Sequence, residues 1–119
     1  MLPDKKNDAH GRLRRESYVT ALTPDDEVDV TLLIGPGVIV RFSINYRTFD
    51  DIWHEVYRVV NHHGFVHEQR LWRDNVPRPV PADEQNVDSA VLIGMVLRRI
   101  KREYQSYKTW FRDAQQRKQ

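Results

Sequence analysis

The sequence predicts an α+β domain. A small antiparallel sheet of three or four strands, in β-β-β-α-β-α order, carries one packed helix and a long amphipathic C-terminal helix. Three observations predict this. Val28, Val30, Leu32 and Ile34 recur at every second position, as do Val38, Val40, Phe42 and Ile44, the period of a strand with one buried face. Phe49, Ile52, Trp53, Val56 and Val60 fall at helical spacing. Ala90, Ile93, Leu97, Ile100, Tyr104, Tyr107, Phe111 and Ala114 repeat at intervals of three and four, as the seam of a long helix does.

Residues 1–15 have no apolar periodicity and read as a flexible tail ahead of one domain spanning 16–119. Tyr18 to Thr23 is expected to form a first strand, closed by the turn Pro24-Asp25-Asp26-Glu27. The two alternating segments should make a hairpin around Gly35-Pro36-Gly37. A three-residue loop there would set Ile34 against Val38 and keep both apolar sets on one face. Thr48 and Asp51 resemble a capping box, and Asp50 and Asp51 suit the positive end of a helix dipole. A helix over 48–63 follows, stopped by Gly64 and covering Val30, Leu32, Val40 and Phe42. Phe65 to Arg73 is expected to return as a strand. The stretch 74–82 holds three prolines in five positions, which remove donors and fix φ, so it reads as a stiff spacer. It also resembles a proline-rich ligand for an aromatic groove. The final helix, 83–117, starts near Asp83 or Asp88 and tolerates Gly94. At 1.5 Å per residue it is about 40 Å long, so its distal half must either project or pack against another chain.

With 119 residues the chain is sized for one domain with a core of its own. It has no cysteine, which excludes disulfide frameworks, zinc–cysteine sites and thiol nucleophiles. No apolar run reaches the ~20 residues that span a bilayer. The polar N-terminal segment lacks the apolar centre of a signal peptide, so a cytoplasmic address is expected. The formal net charge is +2, unevenly spread. Residues 98–119 hold eight Lys or Arg against two acids, while 18–97 hold twelve acids against six Lys or Arg. Such asymmetry speaks to partners rather than to fold.

The basic helix is therefore the main candidate site. Arg98, Arg99, Lys101, Arg102, Lys108, Arg112, Arg117 and Lys118 surround the seam. Phosphates neutralised by such a face release counterions, and aromatic side chains beside it offer stacking surfaces for unpaired bases. The nucleic-acid or partner-binding residues expected are Arg98, Lys101, Arg102, Lys108, Trp110 and Arg112. Tyr104, Tyr107 and Phe111 are expected to serve self-association; the alternative is that the aromatics are core and the cations merely solvated.

Other constellations are weaker. His54, His62, His63 and His67 are dense enough to suggest zinc, but His54-Glu55 lacks a histidine four positions on, and Gly64 interrupts His63 and His67. Near-neutral titration of this cluster is a further reading. Asp25, Asp26, Glu27 and Asp29 read as a solvated turn, and Asp50, Asp51 and Glu55 as helix capping. Ser43 and Ser89 lack a nucleophile-elbow frame, and Gly35-Pro36-Gly37 lacks the lysine of a phosphate loop. The expectation is a non-enzymatic, self-associating binding module without metal or cofactor, contacting nucleic acid through the basic helix. A regulator or inhibitor that docks on an acidic protein surface is the alternative, and a metal-dependent enzyme centred on the histidines comes third.

Overall fold

The computed structural model of the protein describes residues 12–118. Six strands form one sheet: β1 Arg14–Thr23, β2 Asp26–Gly35, β3 Val38–Asp50, β4 Ile52–Val60, β5 His67–Arg70 and β6 Arg78–Pro79. Each pairs antiparallel with its neighbour in sequence, so spatial order equals chain order. A 3₁₀ turn, His62–Gly64, joins β4 to β5. A short helix α1, Ala82–Gln85, precedes the long helix α2, Ser89–Arg117. The expected sheet of three or four strands with two packed helices is thus corrected to a six-stranded meander under one long helix. The first strand reaches back to Arg14, and residues 1–11 of the expected tail lie outside the described residues.

The largest correction concerns 48–63, which is not a helix. It is the end of β3 and the whole of β4. Six of the nine residues in β4 are β-branched or aromatic (Ile52, Trp53, Val56, Tyr57, Val59 and Val60), and such side chains fit a pleated sheet better than a helix turn. Thr48 to Asp50 of the expected capping box end β3, paired with His54, Trp53 and Ile52, and Asp51 alone makes the tight turn, at φ 67°, a region that Asp tolerates better than most residues. A register shift between Tyr46 and Arg47 breaks the two-residue alternation, leaving apolar positions whose spacing imitates a helical one.

The β2–β3 hairpin forms where expected, in a different register. Pro36 and Gly37 make the turn, Gly37 taking the positive φ of 68° that its third position needs. Gly35 faces Val38 and Ile34 faces Ile39; after a bulge, Leu32 faces Phe42 and Val30 faces Ile44. That differs by two residues from the pairing set by Ile34 and Val38. An even shift leaves every side chain on the same face, so Val28, Val30, Phe42 and Ile44 still enter the core, while Val40 stays exposed.

The core lies between one sheet face and α2. Phe42, Ile44, Tyr46, Tyr57 and Val59 meet Leu92, Ile93, Val96, Ile100, Tyr107 and Phe111. Burying each large apolar side chain contributes about 1.5–3 kcal/mol. Asp88 caps α2, its carboxylate accepting from the Ala90 amide at 3.2 Å. The helix lies along the sheet rather than projecting, because the seam packs against the protein's own strands. The molecule is accordingly elongated, with extents of 55 × 33 × 23 Å. No described helix is long and apolar enough to cross a membrane.

Candidate nucleic-acid interface

Polar pins hold α2 to the sheet and decide which basic side chains remain outward. Asp26, only 1% exposed, accepts hydrogen bonds from Thr23 (2.6 Å), Tyr46 (2.7 Å), Thr48 (2.9 Å) and Lys108 (2.9 Å). Burial alone would raise its carboxyl pKa, but these donors outweigh burial and hold it below the ordinary value. Burial and the adjacent Asp26 charge push the Tyr46 phenol upward, keeping it a donor. At the other flank, Tyr57 donates to Glu68 at 2.7 Å, and Arg99 donates to the Tyr57 oxygen at 2.9 Å and to Glu84. Arg70 closes on Glu68 at 2.9 Å. Lys108 and Arg99 are therefore fasteners.

The six residues expected to bind a partner do not share one surface. Lys101 and Arg102 border β1, lining a hollow with Thr20, Ala21, Leu22 and Tyr104; Arg102 also pairs with Glu103 at 3.0 Å. Arg98 is exposed and folds back over Gly94. Arg112 lies near Thr48, Asp50 and His54. Trp110 sits on the opposite flank, toward β5. Tyr107 and Phe111 are buried against the sheet, and Tyr104 is half-buried edge-on to Tyr46 at 5.8 Å.

What gathers beside Trp110 went unnoticed in the sequence. Trp72, in the turn after β5, stacks on Tyr107 at 5.0 Å and 23°. Tyr107 in turn meets Tyr57 at 4.8 Å. Trp110 leans on Trp72 at 5.4 Å and is 46% exposed. The Arg70 guanidinium lies 6.0 Å from the Trp72 ring centre. Arg70, Trp72, Arg73, Trp110, Asp113 and Arg117 together line a groove of about 640 Å³. Arg73 and Arg117 make no ion pair among the described residues. The available signal was Leu71-Trp72-Arg73, a tryptophan set between an apolar and a basic residue just past a strand.

Among the described side chains the histidines form no metal-ligand cluster. His54 packs against Phe111 at 5.6 Å, and His67 is buried against Phe65 at 4.8 Å. Among the described residues no three His, Asp or Glu side chains are placed to hold a metal ion. No family model, curated protein or solved structure matches this chain.

Proposed function

We propose that the protein is a non-enzymatic binding module for single-stranded nucleic acid, with the Trp72–Trp110 groove as its contact surface. The observation that carries this reading is the pairing of a solvent-facing aromatic step with cations. Trp110 offers an exposed ring beside Trp72, and Arg73 and Arg117 flank it without acid partners among the described residues. Stacking on such rings is sequence-tolerant and contributes about 1–3 kcal/mol per base. Flanking guanidinium groups neutralise phosphates. Asp113 at the rim favours a strand whose phosphates run along the arginine side. The exposed Arg98, Lys101 and Arg112 add a long-range attractive field rather than the contact itself.

The test is tryptophan fluorescence during titration with short oligothymidylate and oligouridylate at several salt concentrations. Quenching is expected, with a salt slope reduced by about 0.7 for each phosphate contact removed in Arg73→Gln and Arg117→Gln. Trp110→Ala should weaken binding by about 1–3 kcal/mol. Absence of binding at low salt, alongside tight capture of an acidic protein in a nuclease-treated extract, would transfer the function to the acidic-surface alternative.

A further inference from the structure

The sheet face turned away from α2 carries a second cluster of cations that the groove does not use. Arg15 of β1 and Arg41 of β3 both flank Leu33 of β2 across the sheet. Two residues along, Ser17, Thr31 and Ser43 form the next row. Asp29, Asn45 and Arg58 form the one after. Side chains in register share a face, so three arginines surround a row of hydroxyls. With His62 at the border, they line a depression of about 400 Å³.

Three features point to an anion. Arg15, Arg41 and Arg58 make no ion pair among the described residues, although like charges gathered on adjoining strands repel. The Arg58 Nε is buried and has no hydrogen-bond partner, so the guanidinium is partly desolvated with no acid paired to it among the described residues, a costly state that an anion in the depression would offset. The single carboxylate at the rim, Asp29, is already engaged by the Asn45 amide at 3.2 Å and by Arg47 at 3.5 Å. It therefore offsets little of the positive field. No exposed aromatic ring lines the depression, since Phe42 is buried on the other face. A base would find no platform here, whereas oxyanions would meet forked donors on three sides and hydroxyls beneath.

We propose that this depression binds a compact oligophosphate, its successive phosphates held by Arg15, Arg41 and Arg58 over Thr31 and Ser43. The site is independent of the tryptophan groove and stands or falls separately. Inorganic tripolyphosphate titrated by calorimetry at constant ionic strength is expected to bind one per chain. Binding should be at least tenfold tighter than that of orthophosphate, and the backbone amide resonances of Thr31 and Ser43 should shift. The double variant Arg15→Gln/Arg41→Gln alters exposed side chains only, so its melting curve should match the parent while affinity falls at least tenfold. Trp110→Ala should leave tripolyphosphate affinity unchanged. The proposal is overturned by absent binding, by equal affinity for orthophosphate, or by a loss that follows Trp110→Ala instead of the arginine pair.

Discussion

Asp26 keeps its charge beneath the helix because four donors converge on a carboxylate that water scarcely reaches. Among the described residues Lys108 supplies the only countercharge bonded to it, so the two groups depend on each other. Asp26→Asn should cost about 3 kcal/mol at pH 7, the typical loss when one partner of a buried pair is removed. Its folded pKa lies below the ordinary value of a carboxyl side chain. On acidification the unfolded chain therefore takes up the proton first. The contribution of Asp26 is complete above about pH 4, declines below that, and vanishes beneath its folded-state pKa. Melting temperatures of parent and variant should differ widely at neutral pH and converge as acidification protonates Asp26 in the folded chain. A constant gap would show that the variant acts through something other than charge. This pin was hidden in the sequence, where Asp26 read as one of four solvated turn acids and Lys108 as a ligand contact. The residues lie 82 positions apart, and nothing local announces their meeting.

At the scale of elements, the β3–β4 hairpin turns on Asp51, whose φ of 67° places it in the left-handed region. Branched side chains are strained there by about 1–2 kcal/mol. Asp51→Val should therefore lower stability by roughly that amount, while Asp51→Gly should be near neutral. Urea unfolding would measure both, and an indifferent valine variant would contradict the turn geometry. The same turn explains why this region was misread. Thr48, Asp50 and Asp51 carry the chemistry of a helix start, and the same short polar side chains serve tight turns. By contrast, β2, the start of β3 and α2 were legible because their periods run unbroken over many residues. Even there, the half-buried Leu97 and exposed Ala90 show a seam turned slightly from the one drawn on sequence, with Leu92 and Val96 buried instead.

For the molecule as a whole, one core joins helix to sheet, so neither half has a separate apolar interior. Ile100, fully buried at the centre of α2, should when replaced by alanine cost about 2–5 kcal/mol. Helical dichroism and tryptophan fluorescence should then melt together in parent and variant, as expected of a two-state domain. Separated transitions would mean the helix can detach. The basic character of α2 was plain from composition, but its division into fasteners and outward cations required the fold. So did the groove, because Trp72 and Trp110 are joined only by the meeting of the β5 turn with the end of α2.

The strictly sequential strand order has a consequence for biogenesis. Every hairpin can close as soon as its second strand leaves the ribosome, yet the 29 residues of α2 follow all of them. At translation rates of about 5–20 residues per second, the nascent sheet waits on the order of seconds for its cover. During that interval a chaperone that clasps greasy surfaces would find Phe42, Ile44, Tyr46 and Val59 side by side.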